Sequence, residues 1–330
     1  MKRLLPALLA ILLGSTLAHG DLLDGSPASS QSRYLAGVAA QGGWRIANLT
    51  AANDSGSATT QMDLSADYVV FYNPVTGKSI AKRPPIGGGQ LVSNLGCNIS
   101  SAGPVAGGRD ISGAFVATNT VWWYLISGPA GISCETSLTG PTTLNSANLT
   151  GPVLPAGYDS YAPAFPIKLV GSATLTPTAP QGGSTSYYVE GNTVSFTTWP
   201  YVNTGVGPPS GFPTGAISIG TWVPVSVALM TNFWSDIEAG SSTATVIGGA
   251  VITINGNNVL NCSLYVPVVD IPAVCGNNGT FSYHLPSSGN VTLSYCAPSG
   301  SPLGPCAGNS FNQQVVGIVA PTSYTFSNGN

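Results

Sequence analysis

The chain has 330 residues, of which 43% are hydrophobic and only 6% are Asp, Glu, Lys or Arg, against about 25% charged residues in an average soluble domain. A disordered chain is excluded, since disorder combines low hydrophobicity with high net charge, and a chain of this length folds without needing a metal or a dense disulfide framework. Beyond Arg3 there are seven basic against twelve acidic side chains, a formal charge of −5, and no Lys or Arg follows Lys168, which excludes phosphate-neutralising nucleic-acid binding in the second half.

In chain order, Lys2 and Arg3 precede the apolar run Leu4 to Leu13, and Ala18 and Gly20 stand at the −3 and −1 positions of a cut before Asp21. This three-part pattern reads as a secretory signal over residues 1–20. The run is shorter than the roughly 20 residues of a membrane span, and no later segment is long and apolar enough to make one. An N-terminal segment, 21–62, follows, and its best helical periodicity, Ser32 to Ala40, is interrupted by Gly37.

Strands are expected over Asp67 to Tyr72, Ser112 to Ala117, Thr120 to Ile126, Ile167 to Leu175, Ser186 to Val189, Thr193 to Thr198, Ser226 to Met230, Thr243 to Ile254 and Val259 to Val269. All are β-branched or aromatic runs bounded by Gly, Pro, Asn and Ser. Asn73-Pro74 with Thr76-Gly77 joins Val69 to Tyr72 with Ser79 to Ala81, and Glu190-Gly191-Asn192 joins Tyr187 to Val189 with Val194 to Phe196, both as hairpins. Lys78, Lys82 and Arg83 form the one basic cluster, read as an exposed β turn. Pro- and Gly-rich stretches at Pro177 to Gly183 and Val206 to Gly215 are the natural joints, the second dividing a first β unit, 63–215, from a second, 216–330. Many short strands with Gly and Pro turns predict an all-β chain of β-sandwich or jelly-roll-like modules, two in number.

An exported chain meets an oxidising compartment where disulfides persist, and six cysteines follow the signal: Cys97, Cys134, Cys262, Cys275, Cys296 and Cys306. The expected pairs are Cys97 with Cys134, Cys262 with Cys275 and Cys296 with Cys306, one of the 15 pairings that six cysteines allow. With no C-x-x-C pair and His284 the one histidine after the signal, neither a metal site nor a cofactor is expected. Calcium-loop spacing is missing as well.

A Ser, His and acid triad would have to use His284, and no G-x-S-x-G elbow occurs. Asp236 and Glu238 are the closest carboxyl pair for glycoside hydrolysis, in which two acids stand about 5 to 9.5 Å apart. Residues i and i+2 of a strand share a face, but the flanking Asn232-Phe233-Trp234 and Ala239-Gly240 read as a strand end entering a turn. No catalytic residue is assigned. In Trp122-Trp123-Tyr124, the first and third residues share one face and Trp123 takes the other. Trp122, Tyr124 and Trp234 are the candidate contacts for a partner or glycan, although the run itself favours a strand buried on both sides.

The stretch Ser65-Ala66-Asp67-Tyr68-Val69-Val70-Phe71, the turn Gly108-Arg109-Asp110, and Gly113-Ala114-Phe115 followed by Val121-Trp122-Trp123-Tyr124-Leu125-Ile126 resemble bacteriophage and prophage tail-fibre or related virion structural proteins. In those proteins a Gly-Arg-Asp turn often leads into an aromatic strand. The likeness extends through Pro152-Val153-Leu154-Pro155-Ala156-Gly157-Tyr158 to Trp222-Val223-Pro224, roughly residues 64–230. It implies a β-rich, oligomeric, non-enzymatic part of a virion or a protein derived from one, with Arg109 and Asp110 making a structural ion pair or turn hydrogen bond. A signal peptide and several cysteines depart from that pattern and fit an exported bacterial protein using a similar module.

These readings predict a non-enzymatic structural or attachment protein, extracellular, on the cell surface or in a virion, whose rigid β modules hold loops against a partner or surface polysaccharide. Its expected partners include itself, as a homo-oligomer such as a trimer, and other structural proteins, because low-charge β surfaces with open strand edges need protection. The alternative is a secreted carbohydrate-active enzyme, a glycoside hydrolase using Asp236 and Glu238. Seven N-x-[ST] sequons, beginning at Asn48, are acceptors only in a host that glycosylates them.

Overall fold

The computed structural model describes residues 43–84, 88–141, 150–172, 174–175, 186–197, 202–203, 216–218, 220, 222–224, 226–241, 246–254, 257–266, 273–283, 290–296 and 313–326. Within 202–218 and 233–321, Ser282 apart, the backbone alone is described. The signal, the Ser32 to Ala40 periodicity and both expected joints lie outside the described residues.

The described residues are all β, without a helix. The first nine strands are β1 (Arg45–Ala47), β2 (Thr50–Asn53), β3 (Gln61–Ala66), β4 (Tyr68–Asn73), β5 (Lys78–Lys82), β6 (Val92–Asn98), β7 (Thr120–Gly128), β8 (Gly131–Ser137) and β9 (Ser160–Lys168). Then come β10 (Tyr187–Glu190), β11 (Thr193–Phe196), β12 (Val202–Asn203), β13 (Ala216–Ser218) and β14 (Ala228–Ser241). The last five are β15 (Val246–Ile254), β16 (Asn257–Val266), β17 (Ala273–Tyr283), β18 (Asn290–Cys296) and β19 (Gln313–Phe326). Both expected hairpins form, as β4 with β5 and β10 with β11.

All strand pairs are antiparallel, in three sheets. The six-stranded sheet runs β1-β4-β9-β7-β8 with β5 also on β4. Val69 pairs with both Ile46 and Lys82, and Tyr72 with both Ser79 and Tyr161. Strands β1 and β9 therefore lie on one side of β4 and β5 on the other, so the edges of this sheet are β5 and β8. The nine-stranded sheet runs β17-β14-β19-β11-β10-β2-β3-β6 with β12 on β19, and the four-stranded one β13-β18-β15-β16.

The two larger sheets close on one core. Met62, Leu64, Tyr187, Val194 and Tyr324 of the nine-stranded sheet are buried in one cluster with Phe71, Trp123 and Phe165 of the six-stranded sheet. Each such buried large side chain stabilises by about 1.5–3 kcal/mol. Buried tyrosines tie the layers as well as fill them, because a phenol hydroxyl taken from water needs a partner. Tyr324 Oη donates to Pro166 O at 2.8 Å and Tyr187 Oη to Lys168 O at 3.3 Å. Trp122 meets Phe326 edge-on with ring centroids 6.4 Å apart.

Several expectations are corrected. The first unit starts before residue 63: Trp44, Leu49 and Ala51 belong to the core. It is also completed from beyond residue 215, since Thr325, Tyr324 and Ser323 of β19 pair with Thr193, Val194 and Ser195 of β11. Ser112 to Ala117 is a loop, because Asn119 Oδ1 takes the Val116 N–H at 2.9 Å and Phe115 is buried under Arg109. The strand expected over Ile167 to Leu175 is displaced to β9 in spite of Pro163 and Pro166. Proline is tolerated in a sheet only where its missing N–H is not required. Strand β9 bridges β4 only at Tyr161, leaving both prolines beyond that contact, and its register with β7 slips between Trp123 and Tyr124. No helix among the described residues is long and apolar enough to cross a membrane.

Candidate functional site

The feature with most chemistry is a buried carboxyl pair at the β8 edge. Strands β7 and β8 meet at a tight turn with Gly128 opposite Gly131, and counting back sets Tyr124 opposite Glu135 and Trp122 opposite Ser137. Directly opposed residues project from the same face. Asp110 arrives from the loop that leaves β6. Gly107 N–H donates to Cys134 O at 2.7 Å, Thr136 N–H to Gly108 O at 2.8 Å and Asp110 N–H to Thr136 O at 2.9 Å, so residues 107–110 run along the free side of β8. Asn98 N–H donates back to Gly107 O at 2.8 Å, which ties the same loop to β6.

The disulfide Cys97–Cys134, with Cα atoms 5.9 Å apart, fastens β6 to β8 at that seam. The loop turns sharply under it: a Cβ on Gly103 would collide with the Arg109 carbonyl, so only glycine fits. Cys262, Cys275 and Cys296 fall on β16, β17 and β18, where the backbone alone is described, and Cys306 lies outside the described residues.

Glu135 is 0% exposed and Asp110 4%. Neither Glu135 oxygen has a hydrogen-bond partner among the described residues, nor does Asp110 Oδ1. The other Asp110 oxygen accepts the Val153 N–H at 3.4 Å. Burial, and then the charge of Asp110, push the Glu135 carboxyl up to about 9, so it keeps its proton at neutral pH. Arg109 does not pair with this acid: its Nη2 donates to Ser112 O at 3.3 Å and its guanidinium lies 5.8 Å from the Phe115 ring centroid.

Two tyrosines line the same region. Tyr124 Oη donates to Thr139 O at 2.6 Å and Tyr161 Oη to Thr150 O at 3.4 Å, with the rings edge to face at 5.6 Å. Burial, then Tyr161, then Asp110 hold the Tyr124 hydroxyl well above the usual phenol range. Burial, followed by Tyr72, pushes Tyr161 up to about 12. Gly151 rests on the Tyr161 ring so closely that a Cβ there would come within 2.5 Å of it. The chain on either side of residues 142–149 therefore lies over the tyrosines, and the acids are covered.

Trp122 and Tyr124 are 4% and 0% exposed and present no open face to a ligand. Trp234 stands on β14 with its backbone between Thr280 and Ala320, and its side chain lies outside the described residues. Asp236 and Glu238 are not at a strand end. They lie inside β14, opposite Ile318 and Val316 of β19, with Glu238 also opposite Val274 of β17 and Asp236 at an irregularity in the β17 register. Pairing with β19 carries the strand on through Gly240 to Ser241, while pairing with β17 ends at Ala239.

Sequence reasoning missed Glu135. The signal was present in Gly128-Pro129-Ala130-Gly131, a hairpin turn whose register places Glu135 beside the aromatic run. What the pair can do is hold and release a proton inside the fold. Among the described residues no three His, Cys, Asp or Glu side chains converge as a metal ligand set. The architecture and this site define an antiparallel β-sandwich with a disulfide-stapled, acid-lined edge. Comparison with known protein families, curated proteins and solved structures finds no match.

Proposed function

We propose that this chain is a non-enzymatic structural or attachment protein, exported or carried on a virion or cell surface, whose β modules hold neutral loops against a partner or surface glycan. The observation that carries this reading is where the reactive groups lie. Most of the described large aromatics, Trp44, Trp123, Tyr124 and Phe165 among them, and the Asp110 and Glu135 carboxyls sit inside the sandwich, whereas solvent meets turn tips such as Val75, Val116 and Val153 and a chain with 6% charge. The partial likeness to tail-fibre proteins supports it, since the Gly108-Arg109-Asp110 turn and the aromatic strand behind that likeness flank the same strand, β8, on its two sides.

The test is the mass of the oxidised, signal-free protein by light scattering together with its behaviour towards a panel of surface polysaccharides. A closed oligomer such as a trimer that binds a polysaccharide without shortening it is the expected result. A monomer that shortens a polysaccharide overturns the reading in favour of a secreted carbohydrate-active enzyme.

A further inference from the structure

Strand β5 pairs with β4 on one side and with no described strand on the other, so its outward N–H and C=O groups form an open edge. Along a strand alternate residues share a face, which puts Lys78, Ile80 and Lys82 on one side, opposite Asn73, Phe71 and Val69 respectively. Ile80 is 48% exposed although its partner Phe71 belongs to the core, so an apolar contact stands open between two ammonium groups. Arg83 follows and is exposed. Three of the seven basic residues beyond Arg3 thus crowd this one edge, and among the described residues none of the three makes an ion pair.

Edge lysines commonly guard a sheet against joining its like. Here they do so by register: β5 laid antiparallel on the β5 of a second copy about Ile80 sets Lys78 against Lys82, and like charges directly opposed are destabilising. A one-residue slip reverses every side chain. The same lysines attract an incoming strand with carboxylates two positions either side of an apolar residue. We propose that the β5 edge is a docking surface for an extended acidic segment of another protein, added as a further strand with the pattern acid-x-apolar-x-acid. Main-chain hydrogen bonds supply the attachment and the alternate side chains the selectivity, as in other strand additions. The inference goes beyond the attachment reading above and does not depend on glycan binding.

The experiment uses the oxidised full chain and a fluorescein-labelled nine-residue peptide centred on Glu-Thr-Val-Thr-Glu, read by anisotropy. Saturable binding is expected, weaker by about tenfold or more when both Glu are Lys and falling as salt rises. K78E/K82E should reverse the preference and favour the Lys peptide, and amide exchange along 78–82 should slow when the Glu peptide is present. If that variant loses thermal stability, K78Q/K82Q serves instead, abolishing the preference without reversing it. No saturable binding up to about 1 mM, equal binding of the Glu and Lys peptides, or a preference unchanged in both variants overturns the proposal.

Discussion

At the β8 edge of the six-stranded sheet, residues 107–110 take up free backbone groups of the strand, a disulfide fastens it to β6, and Phe115 is sunk beneath Arg109. At the β5 edge nothing comparable lies among the described residues, and lysines flank a half-exposed isoleucine. The two edges answer one problem, unpaired strand groups that invite aggregation, by opposite means: one is closed by chain and covalent bond, the other left open and charged. Closure makes the β8 side part of the core, so substitutions there should act on stability. Openness leaves β5 outside the core, so substitutions there should act on association.

Changes that break this contrast can be ranked. Phe115→Ala should cost about 3–5 kcal/mol in chemical denaturation, as for other fully buried Phe truncations; a loss under about 1 kcal/mol would mean that the loop is not anchored by this ring. Replacing Cys97 and Cys134 together by Ala should cost about 2–4 kcal/mol by restoring freedom to the unfolded chain, read as a lower thermal midpoint than the oxidised parent and no further drop on reduction at this site. At the other edge, Ile80→Thr should stay within about 0.5 kcal/mol, as for surface positions; a larger loss would show that β5 is held by contacts like those at β8.

A pH series sharpens the same contrast. Folded Glu135 keeps its proton up to about pH 9, whereas the unfolded chain releases it near the ordinary value of 4.5. Unfolding therefore releases a proton between those values, and stability from this group is full below about pH 4.5 and lost as pH rises towards 9. The steepest slope for one proton is about 1.4 kcal/mol per pH unit. Denaturation at pH 5, 7 and 9 should show the decline in the parent and a flatter profile in Glu135→Gln, and matching profiles would refute a buried neutral carboxyl.

Much of the sandwich was legible where local chemistry and fold agree. The β4–β5 hairpin announces itself in Asn73-Pro74 and Thr76-Gly77, and β7 in a run of Val, Trp, Tyr, Leu and Ile. Strand β8 was not legible, because Ser133, Glu135, Thr136 and Ser137 look like loop sequence and three of them are buried only through a returning segment. Strand β9 hid behind two prolines that its sparse pairing with β4 tolerates. The acid pair was illegible for a related reason: Asp110 comes near enough to act on Glu135 only because the loop after β6 runs back along β8, a long-range arrangement that no local pattern encodes. Composition and compartment did suggest the one described disulfide.

The pairing of β11 with β19 sets an order on the life of the molecule. A chain synthesised from its N-terminal end completes β11 and the aromatic pocket around Tyr187 and Phe196 long before Tyr324 and Phe326 are made to fill it. Through that interval β11 is itself a sheet edge, one that presents Val194 and Phe196 and carries no lysine. The nascent chain is thus more exposed to aggregation than the finished one, until synthesis supplies the distant partner strand of β11.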